Sequence, residues 1–186
     1  MKISHMFGAV LLAASSLSFA QTSVTAQWGQ QESSITGAQS HTGNFFVSSK
    51  ITDSVALDAG IYNTVSDTAR TTGSRYEVGA TAFFPVNSIL TASVRGGTGL
   101  KQPSGADSSH YYSVEPAVTA KFGSVGAKVG YRYRDAFSDS VADQSRTVRY
   151  SVFYDMTAKD RITLGYDDWK GDGASKTTYL GYTRSF

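Results

Sequence analysis

Cysteine is absent from the 186-residue sequence, so no disulfide framework holds this chain together. A dominant charge is missing too: 17 Lys and Arg face 15 Asp and Glu, a formal net charge of +2, with no basic block of the kind a nucleic-acid partner requires. There are only three histidines and three prolines, which leaves little material for a histidine-based catalytic or metal centre. Beyond the N-terminal segment, no apolar run approaches the roughly 20 residues of a membrane-spanning helix, and helical apolar spacing is almost absent. A helical membrane protein is therefore excluded. What remains is a soluble chain or a barrel.

The first residues, "MKISHMFGAVLLAASSLSFAQ", have the three parts of a secretory leader: Lys2 and His5 in front, an apolar run from Met6 to Leu12, and the small-residue pattern Ser18-Phe19-Ala20. Ser15, Ser16 and Ser18 interrupt the run, so it is too short for a retained anchor. Cleavage is expected after Ala20, leaving residues 21–186 as one domain.

Alternation with period two runs through the rest of the chain, as in a strand with one face against an apolar medium. In the segment 124–134, Val125, Ala127, Val129, Tyr131 and Tyr133 alternate with Gly126, Lys128, Gly130, Arg132 and Arg134. In 147–156, Val148, Tyr150, Val152, Tyr154 and Met156 share one face; Thr147, Arg149, Ser151 and Asp155 share the other. A soluble barrel carries its bulk inside. Here the second set is small or charged, which suits a barrel that is apolar to lipid and polar to its lumen.

Ten strands are expected, at 22–29, 44–51, 54–64, 75–84, 88–97, 110–122, 124–135, 146–157, 161–169 and 176–186. Eight would require fusing alternating segments into a loop, and twelve would put strands inside polar stretches such as "LKQPSGADSS". The connections alternate between polar loops (30–43, 65–74, 98–109, 136–145, 170–175) and tight turns (52–53, 85–87, Gly123, 158–160), with all the long ones at one end. Short periplasmic turns and longer external loops are the asymmetry of membrane barrels, and about ten residues suffice for a tilted strand to cross. The fold expected is all-β, a transmembrane antiparallel up-and-down β-barrel. Pro116 interrupts the sixth strand and is expected to sit in a bulge.

The chain stops on "TTYLGYTRSF", in which Leu180, Tyr182 and Phe186 share one face with Arg184, and Thr177, Gly181, Thr183 and Ser185 share the other. This ending resembles the C-terminal signal of Gram-negative outer-membrane barrels. The resemblance implies an outer-membrane location, contact with membrane lipid, and recognition of Leu180, Tyr182 and Phe186 by the barrel-assembly machinery. A monomer is expected.

Alternation assigns to the lumen the basic residues Lys50, Arg95, Lys121, Lys128, Arg132, Arg134 and Arg149, facing the acids Asp58, Glu77, Glu115, Asp155 and Asp167. Asp58 and Glu77 lie on strands three and four and most cations on strands five to eight, which creates a field across the lumen. One reading is a narrow channel for small anionic solutes, with "YRYR" at 131–134 as an arginine ladder. This wall is loosely similar to that of the porins for acidic oligosaccharides, which have more strands. The other reading is a lumen plugged by ion pairs, in a barrel whose Ser- and Thr-rich loops serve structure, adhesion or surface display.

Catalysis and metal binding have weaker signals. His110 with Ser108 or Ser109 would be the nucleophile and base of an outer-membrane hydrolase, and His41 is the other histidine beyond the leader. "GGTGLK" at 96–101 lacks the Gly-Lys-Ser/Thr ending of a phosphate loop. "DDWKGDG" at 167–173 fails the spacing of a calcium loop and is expected to be a hairpin tip with Gly171 and Gly173 as turn formers. No enzyme activity, cofactor or metal is expected.

Overall fold

A computed structural model describes residues 21–67, 72–103, 105, 107–138 and 143–186. The expected leader, residues 1–20, lies outside them. The described residues form ten antiparallel strands closed into a barrel: β1 (Gln21–Ser33), β2 (Gln39–Thr52), β3 (Val55–Ser66), β4 (Thr72–Pro85), β5 (Leu90–Gln102), β6 (Ser109–Phe122), β7 (Val125–Ala136), β8 (Ser145–Asp155), β9 (Asp160–Gly171) and β10 (Ser175–Ser185). Each strand pairs with its neighbours in sequence, and β1 pairs with β10 to shut the sheet. No edge remains to be protected.

Register fixes which face each residue takes, because directly paired residues project to the same side. Paired residues link Lys50, Ala56, Thr81, Arg95 and Glu115 in one row and Arg132, Thr147, Trp169 and Ser175 in another, and the unchanged register across the lapse in β6–β7 pairing aligns the two. Arg132 is 4% exposed, whereas Val94, Val118, Val129, Val152, Leu164 and Leu180, on the opposite parity, are all strongly exposed. The aligned rows therefore face the lumen and the apolar set faces out. Phe84, Phe122, Tyr154, Tyr182 and Phe186 are exposed together at the turn end. At the loop end, the Tyr112 ring lies 6.2 Å from Tyr133 and 5.5 Å from Phe137. Two aromatic belts around an aliphatic band match the interfaces of a bilayer.

Strands run further than the alternation alone suggests. The connections at the loop end shrink to 34–38, 67–71, 103–108, 137–144 and 172–174, and the last is shorter than the turns 86–89 and 156–159. Not every connection at that end is long, then. Backbone pairing continues above the apolar band, where both faces are polar and the period-two signal fades.

The turns are built by local side chains. Asn87 Oδ1 accepts from the amides of Ile89 and Leu90, each at 2.8 Å, and Thr157 Oγ1 accepts from those of Lys159 and Asp160. Gly123, in the two-residue turn between β6 and β7, has φ 60°.

The bulge expected at Pro116 is not formed. Pairing between β6 and β7 lapses after Val114↔Tyr133 and resumes at Ala117↔Gly130 with the register unchanged, while Pro116 stays paired to Val94 on the β5 side. Its missing N–H falls on the β7 side, so the ladder is interrupted without an inserted residue. Among the described residues, the register shifts once, between Lys50 and Thr52, beside a turn.

Four inward aromatics are seated on glycines. Phe46, Tyr111, Phe153 and Tyr179 are directly paired with Gly60, Gly99, Gly126 and Gly165. A Cβ at Gly126 or Gly165 would come within 2.1 Å of the partner's ring. The glycines of the lumen face thus make room for rings laid flat on the neighbouring strand.

Candidate functional site

The twelve charged residues expected in the lumen all have lumen-facing register, and the structure adds Arg75, Lys101 and Arg161 on the same face. Arg75 and Arg161 share the parity of Glu77 and Asp167, so the signal was present in the sequence. Lys101 falls in the expected loop 98–109 but belongs to β5. Asp143, between β7 and β8, also turns its carboxylate inside and is 1% exposed. Among the described residues, ten lumen cations thus meet six acids.

The charges form two connected networks at mid-barrel. In the first, Arg95 Nε donates to Asp58 Oδ1 at 3.0 Å, another nitrogen of Arg95 reaches Glu77, and Arg132 Nη2 joins Glu77 from β7. The Tyr111 hydroxyl donates to Glu77 Oε2 at 2.7 Å. In the second, Arg149 Nη1 donates to Glu115 Oε2 at 2.8 Å and Arg149 Nε to Asp167 Oδ2 at 3.2 Å. Lys128 approaches Glu115 at 3.4 Å. Glu77 and Glu115 are almost wholly buried at 2% and 4% exposure. Buried charges persist only when paired and hydrogen-bonded in this way.

Arg134 does not meet any of the acids assigned from the sequence. Its Nη2 donates to Asp143 Oδ1 at 2.7 Å, and Lys101 Nζ reaches the same oxygen at 2.5 Å. Asp155 instead holds Lys121 at 2.7 Å and Arg161 at 2.6 Å near the turn end. Lys50 and Lys121 both line the mouth there. The field expected across the lumen is realised largely as ion pairs.

Three cavities follow one another along the axis. A loop-end vestibule of about 280 Å³ includes Tyr62, Arg75, Arg134, Arg149, Trp169 and Tyr179 in its wall. A middle chamber of about 340 Å³ shares Gln27, Tyr62, Arg149 and Tyr179 with it. A turn-end mouth of about 800 Å³ shares Ser48, Arg161 and Thr183 with the chamber. In the vestibule, Arg75 lies 3.9 Å from the Tyr62 ring centroid and 5.4 Å from that of Trp169; Arg134 lies 4.9 Å from Trp169. Such cation–π contacts order guanidinium groups without consuming their N–H edges.

The catalytic candidates are not assembled. His110 faces out and Ser109 faces in, on opposite sides of the wall, and Ser108 precedes the strand. His41 stacks on Trp28 at 5.5 Å and lies 3.5 Å from Asp67 at the rim. The three carboxylates of "DDWKGDG" diverge: Asp167 turns to Arg149, Asp168 to Lys170, and Asp172 accepts from the Gln144 amide. Gly171 and Gly173 there have φ of 90° and 72°. "GGTGLK" lies within β5 and continues into Gln102.

Known structures resemble this architecture closely enough to decide its type. The KdgM porin in complex with disordered oligogalacturonate superposes with a TM-score of 0.54 at 14% identity, covering 88% of this chain and 99% of that one. Its fold is that of the outer-membrane β-barrels. The NanC porin matches with a TM-score of 0.53 at 10% identity over 87% of this chain and 98% of that one. The β domain of the Bordetella autotransporter BrkA gives 0.57 at 11% identity over 89% and 99%. No family model matches the sequence, and no characterised protein matches it by sequence. Identities this low speak for the fold alone.

Proposed function

We propose that this barrel is a narrow, anion-preferring channel of the outer membrane for small solutes, and not an enzyme. The observation that carries this is the lumen itself: three cavities in succession, adjacent ones sharing wall residues, behind a surface with ten cations and six acids among the described residues. Excess fixed positive charge in a confined, low-dielectric passage concentrates anions and repels cations. The likeness to KdgM and NanC, both porins, supports the reading at the level of fold. The long-looped end would face outward and the tight turns the periplasm, after removal of the leader. The outward stripe Leu180, Tyr182 and Phe186 would be the surface read by the assembly machinery.

A plugged lumen is the second reading, favoured by one observation. Arg132 and Glu77, three strands apart, join across the interior, as they would in a barrel whose polar core is only structural. Planar-bilayer recording of the refolded chain under a KCl gradient separates the two. Discrete steps with a reversal potential on the chloride side support the channel. A folded protein that never conducts leaves the plugged barrel.

A further inference from the structure

The loop end of the lumen has more hydrogen-bond donors than acceptors. Ser113, Arg134 and Ser145 are cross-strand neighbours in one row, and Arg132 and Thr147 in the next. All five are more than nine-tenths buried. Among the described residues, no partner reaches Nε of Arg132, Nε of Arg134, the hydroxyls of Ser113, Ser145 and Thr147, or Nε of Arg75. Six groups able to donate are left over. The sole leftover carboxylate oxygen in this region is Oδ2 of Asp143. Buried polar groups ordinarily find partners, and the partner that suits a donor-rich wall is an oxyanion, which only accepts.

Asp143 already fills that role in part. It belongs to the connection between β7 and β8, and its carboxylate reaches from Arg134 on β7 past β6 to Lys101 on β5. A single oxygen takes both contacts. Arg75 has no carboxylate partner among the described residues, and Tyr62 and Trp169 hold it beside Arg134. An incoming carboxylate or phosphate would have acceptors for both arginines and for the hydroxyls that Asp143 leaves unused.

We propose that the vestibule contains a saturable oxyanion site formed by Arg75, Arg132 and Arg134 with the Thr147 hydroxyl, all in its wall, and that Asp143, bound to Arg134 and Lys101 of that wall, is its internal competitor. A solute carboxylate or phosphate binds by displacing Asp143 from Arg134 and Lys101. The inference rests on the anion-path reading for how solute arrives, but binding itself needs no conduction.

The test uses the full refolded chain in detergent with inorganic phosphate as the probe, titrated calorimetrically at constant ionic strength. Asp143→Asn is expected to lower the phosphate Kd by roughly tenfold or more, since apparent affinity scales with the fraction of sites left open. Adding Arg134→Gln should abolish the gain. Asp172→Asn removes the same charge, here from the vestibule wall itself, and should leave Kd near wild type. Lys101→Met removes a cation yet should tighten binding, because it loosens Asp143; a field effect alone gives the opposite sign. Equal gains from Asp143→Asn and Asp172→Asn, or weaker binding in folded Lys101→Met, would overturn the proposal. The two readings fail separately: phosphate titrating as described in a non-conducting protein retires the channel and keeps the site, and a flat titration of a conducting protein does the reverse.

Discussion

Arg132 on β7 and Glu77 on β4 meet inside the barrel through Nη2 and Oε2, and neither side chain retains appreciable exposure. Glu77 also receives Arg95 and the Tyr111 hydroxyl, so one carboxylate ties together four strands. Glu77→Gln would leave Arg132 buried without its acid. Loss of one partner from a buried pair costs about 3–5 kcal/mol, to be read from urea unfolding of the detergent-refolded protein. The double variant Glu77→Gln/Arg132→Gln should be less destabilised than the sum of the singles, which a double-mutant cycle measures directly.

Lys128 offers a milder perturbation of the same lumen. Its side chain is 41% exposed and its ammonium lies only 3.4 Å from a Glu115 that Arg149 already holds. Lys128→Gln is expected to change stability by less than about 1 kcal/mol while shifting the bilayer reversal potential toward cations. An unchanged potential in a conducting variant would argue against lumen charge as the source of selectivity.

The glycine seats make a packing prediction. Tyr179 lines both the vestibule and the middle chamber, and its ring occupies the space of a Cβ at Gly165. Gly165→Ala should cost about 1–3 kcal/mol, as overpacking does. Shortening the ring residue in that background, with Tyr179→Ser, should recover part of the loss in the same unfolding assay.

On the outer wall, Val129, Val152 and Leu164 are each at least half exposed. Arginine at any of them should destabilise the membrane-inserted barrel by about 2–4 kcal/mol near the midplane. Thr119→Ser, on the lumen side beside Lys128, should have little effect. Equal tolerance at both sets would contradict the assignment of faces.

Orientation can be read on intact cells. Tags inserted at 36–37 and at 105 should be labelled from outside, and one at 158–159, in a turn at the other end, should be protected. Labelling confined to the last position would invert the topology.

Strand number, facing and the charged lumen were legible because period-two alternation reports the medium on each side. The Val125–Arg134 segment shows this best: its apolar set faces out and Lys128, Arg132 and Arg134 face in. Pairings were not legible. Arg134 meets none of the five acids that alternation puts in the lumen; it finds Asp143, a residue in a connection where no periodicity marks a side chain as inward. Strand ends were underestimated for a related reason, since β1 continues to Ser33 and β2 begins at Gln39 with water on both faces. In the sequence, the glycines of the lumen face show only an absence of bulk. Only register shows that Gly126 and Gly165 sit opposite Phe153 and Tyr179.

The β1–β10 pairing has a consequence for how the molecule forms. The hydroxyls of Thr25 and Thr183 sit 2.8 Å apart although 158 residues separate them, and the Phe186 amide donates to Thr22. Every other hairpin can zip locally, but this join must wait for nearly the whole chain. Until it is made, β1 and β10 expose rows of unpaired N–H and C=O groups, the kind of edge along which a second chain adds. Long-range contacts of this sort also set the slowest step in folding. The last strand therefore governs the interval during which the polypeptide is vulnerable to aggregation, and a variant that weakens Tyr182 or Thr183 would lengthen that interval even where the finished barrel tolerates the change.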